Sequence, residues 1–282
     1  MSANRWCAVL VALALAALYS DLFRRLAQLW WENDYAGHGM FVPLFSAVIA
    51  TTERDRMREA ANRGHWAGLI IIALGVAIFE LGAAVGSLLV EGLSVPVAIA
   101  GLVMLAVGTG VLRLAAFPVG FLALMVPLPQ QVADTVTIHL QMFAAGVAGV
   151  VLGLFDIPFL RHGVVIELAG VTLQVAEACN GLRFLVGLFV LTLAYAHLTQ
   201  DRWWHKALLA IAAVPVAILA NAIRVAGIAA AAHFVGGEAV LGAPHLLIGK
   251  VVWIGTIGGL IGLGLAMRRA GQKMPAQTRV PA

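Results

Sequence analysis

Six stretches of this chain, 6–23, 66–86, 88–111, 181–199, 206–234 and 246–267, are apolar runs long enough to cross a bilayer. A membrane helix needs about 20 predominantly apolar residues, with about 17 as the lower limit. Two further apolar stretches, 38–52 and 113–129, fall at or below that limit. Of the 282 residues, 62% are hydrophobic and 11% charged, and the mean hydropathy is +0.96. A soluble domain carries about twice that share of charge, so the chain reads as an integral membrane protein. The run at 6–23 is long for a signal peptide and many spans follow it, so it is expected to stay as an anchor. The net charge of +4 comes from basic loops between apolar runs. No basic stripe interleaved with aromatics points to nucleic acid.

Loop charge sets the expected orientation. Arg54, Arg56, Arg58 and Arg63 lie in one loop, Arg202 and Lys206 in another, and Arg268, Arg269 and Lys273 follow the last run. With eight spans all three clusters, and Arg5, fall on one side, which the positive-inside rule makes cytoplasmic. Both termini are then cytoplasmic, and Arg24–Arg25 is the exception, placed outside. The expected fold is all-α: one membrane-embedded domain over 1–282, a polytopic bundle of about eight transmembrane helices. An extracytoplasmic segment at 130–180 begins with an amphipathic helix (QQVADTVTIHLQMF) and continues into a β-hairpin (GVVIELAGVTLQ) before the sixth span. Residues 270–282 form a cytoplasmic tail.

Against this background AEACNGLR, 176–183, is out of place. Glu177, Cys179, Asn180 and Arg183 crowd the start of the sixth span. A helix N-terminus and a nearby guanidinium both favour thiolate over thiol, the form a nucleophilic cysteine needs. The next span contains NAIR, and Arg224 lies 18 residues beyond Lys206. At 1.5 Å per residue that is about 27 Å, the far edge of a core about 30 Å thick. Asn221 precedes it by one turn. An intramembrane arginine marks a functional site by default. The last span opens with GAPHLLIG, where Pro244 suits a first helical turn and carries His245 to the same level.

Three distant segments thus bring a cysteine, an arginine and a histidine to one depth. Histidine can take the thiol proton and the cation can stabilise an oxyanion, which is the minimum for acyl transfer. An isolated membrane cysteine is more often packing, and a His or Arg at a helix end more often snorkels; only the shared depth separates this trio from that background. His38, His139, His162 and His233 compete with His245 as bases. There is no His-Glu-x-x-His helix, no paired intramembrane aspartate and no Gly-x-Ser-x-Gly turn. Composition and spacing leave three classes open: a membrane cysteine protease or transpeptidase, a non-enzymatic transporter of polysaccharide or lipid using Arg183 and Arg224, and a lipid acyltransferase.

At these residues the chain resembles the exosortase/archaeosortase family of polytopic membrane cysteine enzymes. The family's Ala-Cys-Ser-Gly-x-Arg, Asn-x-x-Arg and histidine blocks read here as ACNGLR (178–183), NAIRV (221–225) and PHLLIG (244–249). WWENDYAGHGMFVP (30–43) and FPVGFLALMVPLP (117–129) are similar to two further family regions. Asn180 stands in place of the usual serine, as does Ala36 ahead of Gly37–His38, with a glycine inserted. The resemblance implies Cys179 as nucleophile with Arg224 and His245 as catalytic partners. Arg183, Asn221, Asn180 and Glu177 would support them, and no cofactor or metal is needed. It further implies an inner-membrane sorting enzyme of Gram-negative bacteria with its site on the periplasmic side. Its partners would be exported proteins with PEP-CTERM signals (a Pro-Glu-Pro motif, a transmembrane helix and a basic tail), membrane lipids and an acceptor nucleophile of unknown identity.

Overall fold

Glycines 68, 75 and 82 recur every seven residues, two helical turns apart, and so share one face of a helix. In the computed structural model that helix, α5 (Ala67–Ala84), uses the face to lie directly against α6 (Leu88–Phe121). A methyl added at Gly68 would sit 2.5 Å from the Gly101 carbonyl oxygen, and one at Gly75 2.9 Å from the Ala98 nitrogen. Apolar surface does not drive association in lipid, so such close backbone approach supplies the packing energy. The structure describes residues 3–33, 35–175, 181–237 and 242–273. They divide into two compact units, 1–132 and 133–282.

The first unit begins with α1 (Ala3–Leu18), which bends by 52° into α2 (Ser20–Glu32). The run at 6–23 therefore ends earlier than its hydropathy suggests. The amphipathic helix lies here: Leu22 and Leu26 are buried, while Asp21, Arg24 and Arg25 lie on the polar side. Arg25 is bonded to Asp21 (2.9 Å) and to the buried carboxylate of Glu91 at the start of α6, and Arg24 is paired with Asp21. These carboxylates neutralise the arginine pair that the loop-charge pattern leaves as an exception. Next come a 3-10 turn (Gly37–Met40), α3 (Phe41–Thr52) and α4 (Arg54–Glu59). The apolar helix 37–52 is too short to count as a span. Trp30 Nε1 donates to the Met125 carbonyl (2.9 Å), and Gly39 fits between that indole and that carbonyl. This contact joins the WWENDYAGHGMFVP and FPVGFLALMVPLP stretches.

Hydropathy divides 88–129 at Arg113, whereas α6 runs past Arg113 to Phe121 as two helices joined at a kink. Arg113 does not stop the helix; the break comes at Gly108 (φ 87°). The loop before α5 covers it. The amides of Asn62 and His65 donate to the Val107 and Met104 carbonyls (3.1 and 3.0 Å), satisfying groups near the broken ladder. Residues 88–107 then measure about 30 Å, one membrane thickness.

The second unit starts with α7 (Gln130–Leu154), which is long and apolar enough to cross a membrane. Of the polar residues that suggest an interfacial helix, Gln130, Gln131, Asp134 and His139 are exposed and Gln141 is buried. Three short strands follow, β1 (Phe159–His162), β2 (Val165–Leu168) and β3 (Val171–Gln174), antiparallel in the order 1-2-3. Gly163 and Gly170, both at positive φ, form the two tight turns. The expected hairpin is thus the last two strands of a three-stranded sheet. Its inner face, Ile166, Leu168 and Leu173, packs on α7 and on α9 (Trp203–Val235). With α8 (Gly181–Thr199) and α10 (Ala243–Lys273) the unit is complete. Among the described residues six helices can span, or seven when the bent α1–α2 pair is one span. The all-α polytopic membrane bundle holds; the number of spans falls below eight.

Gly68→Val should cost about 1–3 kcal/mol through overpacking, read as a lower midpoint of thermal unfolding in detergent. Arg25→Ala, which strands a buried carboxylate, should destabilise by about 3 kcal/mol. Arg24→Ala, which removes only an exposed pair, should cost under about 1 kcal/mol in the same assay.

Candidate active site

Ala213, Ala217 and Ala220 lie on one face of α9, and all are buried against Phe184 and Leu188 of α8 and Leu260 of α10. Small side chains here let α9 lie close to both neighbours. Helix α8 joins α9 through residues 200–202 and so runs antiparallel to it. Tyr195 Oη donates to the Ile261 carbonyl (3.1 Å), and Gln200 Nε2 to the Gly264 carbonyl (3.0 Å), while Phe184 lines a cavity with His245. Low numbers on α8 therefore meet low numbers on α10, and the two helices are parallel. Their N-termini share one end of the trio.

The Asn-x-x-Arg stretch of α9 reaches both of those N-termini. Asn221 is buried, and a methyl added at Gly181, the first residue of α8, would lie 2.8 Å from Asn221 Nδ2. Asn221 Oδ1 is buried with no hydrogen-bond partner among the described residues. Arg224, one turn later, faces α10. Its Nε lies 3.3 Å from where a Gly249 Cβ would be, so the guanidinium rests on a helix that carries no side chain there. Its Nη2 is 3.0 Å from His245 Nε2. A guanidinium can only donate, so Nε2 accepts, and a neutral His245 then carries its ring proton on Nδ1. Both side chains are half-buried. They border a cavity of about 390 Å³ with Leu246, Lys250 and Trp253.

The other expected residues are placed as follows. Arg183 is exposed on the first turn of α8. Glu177, Cys179 and Asn180 lie outside the described residues. Of the competing bases, His38 Nδ1 bonds the Tyr35 carbonyl (3.0 Å) and His139 Nδ1 the Thr135 carbonyl (2.7 Å). His162 ends β1 and His233 lies beside Phe234, both exposed. Only His245 is shown in contact with Arg224. Among the described residues no three His, Cys, Asp or Glu side chains form a metal-binding group. Sequence reasoning passes over Gly249, Lys250 and Trp253, although a lysine five residues beyond His245 in an apolar run is a readable signal.

Comparison with known families gives one match: the model of the transmembrane exosortase family (Exosortase_EpsH) covers residues 30–262. No curated protein and no solved structure matches the chain.

The tight contact at Gly181 yields a test. Gly181→Ala should destabilise the protein by about 1–3 kcal/mol, and Asn221→Ala should relieve part of that. A double-mutant cycle by thermal unfolding should then show a coupling of at least about 0.5 kcal/mol; additive effects would contradict the contact.

Proposed function

The chain belongs to the transmembrane exosortase family, and from that premise we propose that it is a membrane cysteine protease or transpeptidase acting on exported proteins. The observation that carries the reading is the 3.0 Å contact of Arg224 with His245 at the end of the trio where α8 begins. Two peptide units reach about 7 Å at most. A nucleophile at position 179 is therefore tethered to the residue, Gly181, that abuts Asn221.

The steps follow from these groups. In the resting arrangement the base nitrogen of His245 is occupied by an Arg224 N–H. Substrate binding turns the guanidinium onto the scissile carbonyl, which frees Nε2 to take the Cys179 thiol proton. The thiolate attacks the carbonyl carbon, and Arg224 stabilises the oxyanion. Collapse breaks the C–N bond, the imidazolium protonates the leaving amine, and a thioester remains on Cys179. An acceptor nucleophile, or water, gives its proton to His245, attacks the thioester and regenerates the thiol. Asn221, Arg183, Asn180 and Glu177 support this centre. The substrates are proteins with C-terminal PEP-CTERM signals: a motif near the scissile bond, a transmembrane helix and a basic tail. The enzyme sits in the inner membrane with its site on the periplasmic side, where such a motif would emerge.

Cys179→Ala should abolish processing of a tagged substrate of this kind while the protein remains folded in the membrane. Arg224→Lys should lower kcat about 10²–10³-fold, since a lysine keeps the charge but not the planar fork. Isolation of a thioester-linked substrate fragment at Cys179 in the wild type is the direct check. A transporter would tolerate Cys179→Ser, and full processing by that variant sinks the proposal.

A further inference from the structure

Lys250 follows His245 by five residues on α10, inside an apolar run, and its side chain is exposed. It takes part in none of the ion pairs formed among the described residues. An ammonium at this depth without a counter-ion is costly, up to about 2.5–3.5 kcal/mol at a bilayer centre. With Arg224 and His245, Lys250 borders the cavity of about 390 Å³ at the end of the helix trio. The cavity thus sets the cations of Arg224 and Lys250 among Leu246, Trp253 and Ile254, which share the Lys250 face of α10 and are exposed. Exposure continues along α10, of whose apolar stretch only 11% is buried, against 44% for α8 and 39% for α9.

We propose that this cavity binds an anionic membrane phospholipid, with its phosphodiester held between Lys250 and Arg224 and an acyl chain lying along Leu246, Trp253 and Ile254. The lining is amphiphilic in the sense a phospholipid is: two cations for the phosphodiester, with Trp253 and Ile254 one turn farther along α10 than Lys250 for a chain. Gly249 suits this arrangement, because a methyl added there would lie 3.3 Å from Arg224 Nε and crowd the guanidinium. A short acidic peptide with no apolar segment would satisfy the ammonium but would leave the apolar side chains uncovered. The site shares Arg224 with the proposed oxyanion site, so a bound lipid occupies the guanidinium until substrate displaces it. The inference concerns binding rather than turnover, so it can fail while the protease reading stands, and the reverse.

The test uses the full-length protein, delipidated in a neutral detergent and titrated with dioleoyl phosphatidylglycerol, with bound lipid counted by native mass spectrometry. The wild type should hold one such lipid in preference to phosphatidylcholine. Lys250→Gln should weaken it about fivefold or more, as expected for one basic side chain near a membrane surface, and Lys250→Arg should restore it. Arg268→Gln, at the far end of α10, should leave it unchanged. Independently of that lysine's effect on folding, phosphatidylglycerol brominated on its acyl chains should quench a component of tryptophan fluorescence that Trp253→Phe removes. Four results overturn the proposal: unaltered binding by Lys250→Gln, equal loss in Arg268→Gln, displacement of the lipid by inorganic phosphate at matched concentration, or preferential binding of an amidated acidic peptide. Absence of the Trp253 quenching overturns it as well.

Discussion

A guanidinium within an apolar helix is the constraint around which the second unit is arranged. Arg224 cannot be deprotonated, and its desolvation cost must be met by hydrogen bonds. The chain meets it with His245 on the neighbouring helix and makes room for the contact by placing no side chain at Gly249. One turn earlier on α9, Asn221 fits against Gly181 in the same way. The spacing of three residues turns a single helix face toward two neighbours at once. That is the physical content of an Asn-x-x-Arg pattern matched, in distant segments before and after it, by glycines.

Small residues play the same part in each unit. In the first, Gly68, Gly75 and Gly82 bring α5 onto α6; in the second, Ala213, Ala217 and Ala220 bring α9 between α8 and α10. In water this would waste apolar area. In lipid, where a leucine gains nothing by leaving the solvent, contact area between backbones is what remains to be gained. The exceptions are polar and equally local: Glu91 with Arg25, Tyr19 with Ser94 at 2.9 Å, and Gln200 with the Gly264 carbonyl.

The helices from 181 onward were legible because their length, polar ends and helical rise are all properties of local sequence. Counting rise from Lys206 puts Arg224 near a membrane face, and Pro244 puts His245 in a first turn; both need only covalent geometry. What hydropathy misreads are breaks and exceptions decided by tertiary contacts. Gly108 interrupts α6 while Arg113 does not, because the loop at 60–66 satisfies the carbonyls exposed there. Helix α7 looks interfacial because Asp134 and His139 interrupt its apolar run, although its 25 residues are long and apolar enough to span. The strand at 159–162 carries Arg161 and His162 and has no alternation to betray it, although the two strands after it do. The role of Lys250 is invisible without knowing which side chains border the cavity. Cys179 lies outside the described residues, and its place in the proposed site rests on its polar neighbours in sequence and on the family match.

The parallel course of α8 and α10 has an electrical consequence. Aligned peptide dipoles give each helix roughly half a positive charge at its N-terminus, and both of these N-termini lie at the same end of the trio. Helix α9 runs the other way and brings its negative C-terminus to that end, so the backbone of the trio leaves roughly half an elementary positive charge there. An anion formed there would meet this field whatever side chain occupied position 224. Electropositive character at this end is built into chain direction, and side-chain chemistry adds to a polarity that helix order has already established.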